Sequence, residues 1–264
     1  MFKLVATDLD GTLLHTDGTV TERTRRALTA VEDQGVVVVF VTGRPIRWME
    51  DLWQHVGGHG LAVCSNGGVV YDVHEHAVVK ARTIPRPVGL EVGELLRQAI
   101  PGTSFAVERT TGFGKEPEFM PQVPPPDDLE VAGLSHIFDD HVVKLLARHE
   151  DLEPEKFWDE VDVHVGSRVT TTWSSLGALV EISAPGVTKA STLELLCAER
   201  GIGPDEVVAF GDMPNDLAML QWAGTSYAMA NGHPSVRACA THEAPTNEDD
   251  GVATVLEDLF DLTG

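Results

Sequence analysis

The stretch Ala6-Thr7-Asp8-Leu9-Asp10-Gly11-Thr12-Leu13-Leu14, ATDLDGTLL, follows directly on the strand-like residues Phe2 to Val5. It puts two acids two residues apart where a strand is about to end. Residues two apart on an extended segment project to the same side, so Asp8 and Asp10 can reach one centre. Gly11 lets the chain turn sharply there, and Thr12 adds a hydroxyl for fixing the loop or an oxyanion. Two carboxylates that close repel each other, and one keeps its proton unless a cation or a lysine neutralises them. Acids at such a place fit the edge of an open α/β sheet, where side chains are presented to a ligand.

Strand-like and helix-like stretches alternate outward from this point. Lys3 to Thr7 is followed by TVTERTRRALTAVEDQG, then Val36 to Thr42, then PIRWMEDLWQHVGG, then Leu61 to Cys64. In the first helix Thr19 and Glu22 stand at capping-box spacing, Ala27, Leu28 and Val31 supply an apolar face, and Gly35 suits the stop. The run VVVVFV is β-branched and continuous, as expected of a strand buried on both faces. Alternation of this kind predicts a parallel sheet with covering helices.

The pattern changes at Gly67 to Lys80, where GGVVYD and AVVKA flank a polar VHEH and read as a hairpin. From Thr83 to Pro185 come Pro-rich breaks, helical stretches at Gly89 to Ala99 and Pro154 to Val161, and several strand candidates. These are Ser104 to Glu108, His141 to Arg148, Asp162 to Val165, Arg168 to Trp173 and Ala178 to Ser183. From Val187 the alternation resumes, with a helix at TKASTLELLCAERG, strands at Glu206 to Phe210 and Thr225 to Met229, a helix at Pro214 to Trp222, and a last helix ending near Phe260. The expected architecture is α/β: a doubly wound, mostly parallel, Rossmann-like core from residues 1–82 and 186–264, interrupted by an α+β cap at 83–185.

Composition narrows the partners. Nineteen basic residues against 41 acidic ones give a net charge of −22, which repels polyanions and argues against nucleic acid or an anionic membrane. An anionic substrate then needs local compensation, for which bound cations are the obvious source. Cys64, Cys197 and Cys239 are far apart and form no C-x-x-C pair, pointing to a reducing compartment. With no targeting segment evident and no apolar run near the ~20 residues that span a bilayer, the expected location is the cytoplasm.

Four places in the core share one address, at or beside the C-terminal end of a predicted parallel strand or at a helix start. They are Asp8 to Thr12, Thr42-Gly43-Arg44, Lys189, and Gly211-Asp212-Met213-Pro214-Asn215-Asp216. Carboxylates in this number favour a hard, oxygen-loving ion such as Mg²⁺, whereas zinc would call for His or Cys. Phosphoryl transfer fits the set: a carboxylate nucleophile, a second acid for protons, and a cation, a lysine and a hydroxyl to stabilise charge.

Together DLDGTLL, VTGRP, GVTKASTL and GDMPNDLAML resemble, in order, the four motifs of the haloacid dehalogenase-like phosphatases, in particular the Cof-type, sugar-phosphatase-like group. SNGG at Ser65 to Gly68 and MANGHPSV are similar to segments of that group. The resemblance implies Asp8 as nucleophile, Asp10 as general acid and later base, and Thr42 and Lys189 gripping the transferred phosphoryl group. It implies Mg²⁺ held by Asp8, the backbone carbonyl of Asp10, and Asp212, with Asp216 supporting the metal shell and Asn215 meeting phosphate or metal water. Thr12, Gly43, Arg44 and Asn66 join the substrate-binding candidates. The insertion is then a cap that closes over the site and selects the leaving group, with Arg109, Lys115, Arg168 and Trp173 as candidates for reading it.

The expected function is hydrolysis of a small-molecule phosphate ester, such as a sugar phosphate, through an aspartyl-phosphate, by a monomer or homodimer. A phosphomutase or phosphotransferase could pass the same phosphoryl group to a hydroxyl. A non-catalytic phosphate-ligand-binding protein could use the same Asp, Thr and Lys set.

Overall fold

The computed structural model describes residues 1–49, 52–53, 60–121, 124, 126, 129–173 and 177–262. The chain divides into two compact units, one from Met1–Val79 and Lys189–Gly264, the other from Lys80–Thr188.

The first unit begins with β1 (Leu4–Thr7), α1 (Glu22–Asp33), β2 (Val37–Val41), β3 (Leu61–Cys64), β4 (Val69–Asp72) and β5 (Ala77–Ala81). The insertion carries α2 (Arg86–Ala99), β6 (Ser104–Arg109), β7 (Gly112–Lys115), β8 (Glu130–Val131), α3 (Leu134–Ile137), β9 (Val142–Arg148), α4 (Pro154–Val165), β10 (Thr170–Thr172) and β11 (Leu179–Ser183). The first unit resumes with α5 (Lys189–Glu199), β12 (Val207–Gly211), α6 (Leu217–Trp222), β13 (Thr225–Met229), α7 (Pro234–Cys239), β14 (His242–Ala244) and α8 (Gly251–Leu259).

Its sheet runs β14-β13-β12-β1-β2-β3-β4-β5. Strands β14 through β3 are parallel, and β4 returns antiparallel to β3. The four residues of β1 are all buried between neighbours of the same kind, Leu4 pairing with both Val37 and Val207. A strand covered on both faces must be apolar throughout, and the β-branched residues of β2 meet that demand. Phe210, Tyr227 and His242 sit opposite one another on β12, β13 and β14, and their rings stack at 5.3 and 4.9 Å.

From β1 the chain moves outward through β2 and β3, and after the insertion it returns to the other flank of β1 through β12. That reversal between β1 and β12 is the topological switch point of a doubly wound sheet, the place where open α/β sheets hold ligands.

The second unit has a six-stranded sheet ordered β10-β11-β9-β6-β7-β8, antiparallel except for β7 against β8. Alternation splits its residues. Phe105, Val107, Leu145, Val180 and Ile182 share a core with Val92 and Leu96 of α2 and Phe157, Val161 and Val165 of α4. On the opposite register lie Glu108, Lys144 and Glu181, all buried, with Lys144 ion-paired to Glu181.

Several local expectations are corrected. Thr21, not Thr19, caps α1, accepting a hydrogen bond from the Thr24 amide, because Thr19 is already bound to the carboxylate of Asp17. Asp162 to Val165 is the last turn of α4 rather than a strand, since Phe157, Val161 and Val165 recur every four residues on one buried face. Helix α2 begins at Arg86, with Pro87 in its first turn, three residues before the expected start. Strands β7, β8 and β14 and helices α3 and α7 are short and were not expected. Of the helix expected over PIRWMEDLWQHVGG, residues 50–51 and 54–58 lie outside the described residues, and Ile46–Trp48 forms a 3-10 turn.

Candidate active site

Strands β12, β1, β2 and β3 are neighbours, and the turns leaving them meet. Asp8, just past β1, accepts a hydrogen bond from the Lys189 ammonium at 2.6 Å, and the same ammonium donates to Asp216 at 2.6 Å. Lys189 opens α5 and is 1% exposed. The other oxygen of Asp216 accepts from the backbone N–H groups of Asp212 and Met213, both at 3.1 Å. One carboxylate therefore fixes both the lysine and the turn after β12. Asp212 in turn accepts from the Thr12 hydroxyl at 2.9 Å, which ties the turn after β1 to the turn after β12.

These approaches leave no room for a side chain at Gly11, where φ is +73° and a Cβ would run into the Asp212 carboxylate. A Cβ at Gly211 would stand 2.6 Å from that of Asp216.

One carboxylate oxygen from each of Asp8, Asp212 and Asp216 lies within 4.8 Å of the others, and all three residues are buried. Three carboxylates against one ammonium leave a deficit of two positive charges. Burial pushes the Asp8 carboxyl well above its ordinary value, Lys189 pulls it back, and Asp216 and Asp212 push it up again. Burial and then the charge of Asp216 raise Asp212 to about 6, against the pull of the Thr12 hydrogen bond. Burial alone would depress Lys189, but Asp216 and Asp8 outweigh it and hold the ammonium above its usual range. A donor set made only of carboxylate oxygens and short of two positive charges fits a hard divalent cation.

The turn after β2 supplies the other side. Thr42 is fully buried and its hydroxyl oxygen accepts from the Arg44 amide at 3.0 Å, which leaves its own O–H to donate. Gly43 passes so close to two carboxamides that a Cβ there would lie 3.1 Å from Asn66 Oδ1 and 3.6 Å from Asn215 Nδ2. Asn215 Nδ2 donates to Asn66 Oδ1 at 3.1 Å, and the Asn215 Oδ1 is buried without a hydrogen-bond partner.

Asp10 stands apart. Its side chain is 57% exposed and both its oxygens are held by the Arg44 guanidinium, so it does not join the buried carboxylate group.

Sequence reading missed what holds the Asp10 to Leu14 turn. Asn231 donates to the Gly11 carbonyl at 2.7 Å and accepts from the Asn247 amide at 3.1 Å, while Asn247 Nδ2 donates to the Leu14 carbonyl at 2.9 Å. The signal was the MANGHPSV segment, where Asn231 and Gly232 follow β13 as Asp212 follows β12. In the inserted unit, Arg109 pairs with Glu130 and Asp139, Arg168 pairs with Glu91, and Lys115 donates to the carbonyls of Glu116, Pro117 and Phe119.

The family model for haloacid dehalogenase-like hydrolase matches residues 5–256. The chain belongs to the haloacid dehalogenase-like hydrolases. The match takes in the turns that carry Asp8, Thr42, Lys189 and Asp212. The chain is 29% identical over 265 residues to the 5-amino-6-(5-phospho-D-ribitylamino)uracil phosphatase YitU of Bacillus subtilis, with 98% of each chain covered. It is 30% identical over 267 residues to the pyridoxal phosphate phosphatase YbhA of Escherichia coli, covering 96% of this chain and 97% of that one. Its fold is shared with SMU.1108c from Streptococcus mutans, at a TM-score of 0.84 and 22% identity over 98% of this chain and 99% of that chain. The same holds for BT1666 from Bacteroides thetaiotaomicron, at 0.83 and 23% over 98% and 96%. Among the described residues no helix is long and apolar enough to cross a membrane.

Proposed function

We propose that this haloacid dehalogenase-like hydrolase is a phosphatase that cleaves a small phosphorylated metabolite through an aspartyl-phosphate, with Mg²⁺ as its cation. The observation that carries the reading is the buried Lys189 ammonium joining Asp8 to Asp216 beside Asp212. A carboxylate held by a lysine at a sheet switch point is oriented for attack, and its surroundings are dry enough to strengthen every charge that meets it.

In the first half-reaction an Asp8 oxygen attacks phosphorus and the bond from phosphorus to the ester oxygen breaks. Asp10 gives that oxygen its proton and the alcohol departs. In the second, a water passes a proton to Asp10 as its oxygen attacks phosphorus; the bond to Asp8 breaks and inorganic phosphate leaves. Lys189 and the Thr42 hydroxyl hold oxygens of the transferred group throughout, and Thr12 keeps Asp212 in place. Asp8, Asp212 and the Asp10 carbonyl would hold Mg²⁺, with Asp216 behind them, and the ion would offset charge on the phosphoryl oxygens.

That two relatives are named as phosphatases of chemically different phosphate esters supports a phosphatase here and keeps the substrate class at small phosphorylated metabolites. The insertion of residues 80–188 serves as the cap that selects the organic part. Asp8→Asn, assayed with Mg²⁺ and p-nitrophenyl phosphate, tests the nucleophile: turnover is expected to fall by at least ~10³-fold, and full activity would remove the assignment. Equal release of alcohol and inorganic phosphate marks hydrolysis, whereas phosphate appearing on another hydroxyl marks a mutase or transferase.

A further inference from the structure

The turn at Ser65-Asn66-Gly67 is an unusual piece of backbone. All three residues have positive φ, 53°, 54° and 100°, and Ser65 and Asn66 are each 1% exposed. Left-handed conformations are strained for non-glycine residues, so two in succession inside a protein must be held by their surroundings. The surroundings here are three separate pieces of the candidate active site. Ser65 and Asn66 donate their amides to the carbonyls of Arg44 and Thr42, at 2.9 and 3.0 Å. The Gly67 carbonyl accepts from the Thr192 hydroxyl at 2.8 Å, on the first turn of the helix that Lys189 opens. The Asn66 side chain accepts from Asn215, one residue before Asp216.

We propose that Asn66 is a positioning residue that works through Asn215, and that the left-handed turn around it braces the Thr42 loop, the Lys189 helix and the Asn215 turn in one register. The proposal rests on the phosphatase reading for its catalytic consequence. Asn66 Oδ1 takes one amide proton of Asn215 and so decides which way that carboxamide faces. The buried Asn215 Oδ1 is thereby turned away from Asn66 as an acceptor for a donor that arrives with the substrate. A Cβ at Gly43 would press on Asn66 Oδ1 at 3.1 Å and touch Asn215 Nδ2 at 3.6 Å, so the backbone beside Thr42 is set against the same pair. Asn rather than another residue suits position 66, because it tolerates left-handed backbone and still carries an acceptor.

Asn66→Gly removes the carboxamide and leaves the backbone conformation accessible, which makes it the informative variant. Misplacing a group by about 1 Å can cost ~10²-fold, so kcat/KM for p-nitrophenyl phosphate is expected to fall between ~10- and ~100-fold. Asn215→Ala is expected to fall comparably, and the double variant Asn66→Gly/Asn215→Ala no further than Asn215→Ala alone. Multiplying losses would mean that Asn66 meets the substrate itself and would overturn the proposal, as would full activity in Asn66→Gly. A second readout stands apart from turnover: the Asn215 side-chain NH₂ signal in a ¹⁵N-labelled protein, expected to exchange slowly with solvent in the wild type and quickly in Asn66→Gly. A wild type that cleaves no phosphate ester would count against the phosphatase reading alone; unchanged slow exchange in the variant would overturn the brace.

Discussion

Arg44 and Asp10 form a two-point ion pair at the open side of the candidate active site, Nε to Oδ2 at 2.7 Å and Nη2 to Oδ1 at 2.5 Å. The hydrogen bond to Asp10 raises the Arg44 guanidinium above its already high range, so it stays charged. In the proposed mechanism Asp10 moves protons, which it cannot do while a guanidinium holds both its oxygens. On that reading an arriving phosphate would offer Arg44 a competing anion, and release of Asp10 would accompany substrate binding. Arg44→Ala is expected to raise KM about tenfold, the loss of one charge-assisted contact, with a smaller effect on kcat. Steady-state kinetics separate the two; a collapse of kcat at unchanged KM would place Arg44 in the chemical step instead.

Lys189 is the sole cation among the described residues bonded to Asp8 and Asp216. Lys189→Met keeps the length of the side chain and leaves two buried carboxylates facing each other. Removing one partner of a buried pair costs about 3–5 kcal/mol, and that loss should appear as a lower denaturant midpoint at pH 7.5 in EDTA. Millimolar Mg²⁺ should recover part of the stability without restoring activity. A variant as stable as wild type in EDTA would show that the ammonium does not compensate these acids.

Asp212 makes stability depend on pH in an unusual direction. Its carboxyl, raised to about 6 in the folded protein, titrates near 4 when unfolded. Between those values the folded state binds more protons, so the free energy of unfolding falls as pH rises through about 4 to 6 and stays low above that. The shift corresponds to about 3 kcal/mol. Asp212→Asn retains an acceptor for Thr12 and should be the more stable protein in EDTA at pH 7.5, with the gap closing as pH falls toward 4. Mg²⁺ should stabilise the wild type and leave the variant nearly unmoved. Urea titrations at several pH values check both signs.

What could be read from the sequence follows from which forces are local. The strand ends carrying Asp8, Thr42 and Asp212 were legible because a β-branched run has one periodicity and an acid or hydroxyl at its end has few structural uses. The meeting of Lys189 with Asp8 was legible only through the order of four motifs, since 181 residues separate the pair. Rotamers and turn handedness were not legible. Nothing local says that Asp10 turns to Arg44, that Asn66 takes a left-handed backbone, or that Asp17 claims Thr19 and leaves the cap to Thr21. Val163 and Val165 misled because alternate β-branched residues suggest a strand until Val165 is matched to the fourfold spacing of Phe157 and Val161.

Gly11 offers the sharpest test of how closely the two central turns pack. An alanine there meets two obstacles at once: a φ of +73°, which costs an L-residue roughly 1–2 kcal/mol, and the Asp212 carboxylate in the space the methyl would take. The carboxylate cannot yield without breaking its bond to Thr12, and Asn231 holds the Gly11 carbonyl from the other side. Gly11→Ala should therefore lower stability by about 2–4 kcal/mol and reduce kcat/KM by more than tenfold. Gly18→Ala is the control, because its φ is also positive, +81°, while nothing lies within 4 Å of the added carbon. It should pay the backbone strain alone and keep near wild-type kinetics. Equal kinetic losses in the two variants would show that contact between Gly11 and Asp212 does not set the geometry of the site.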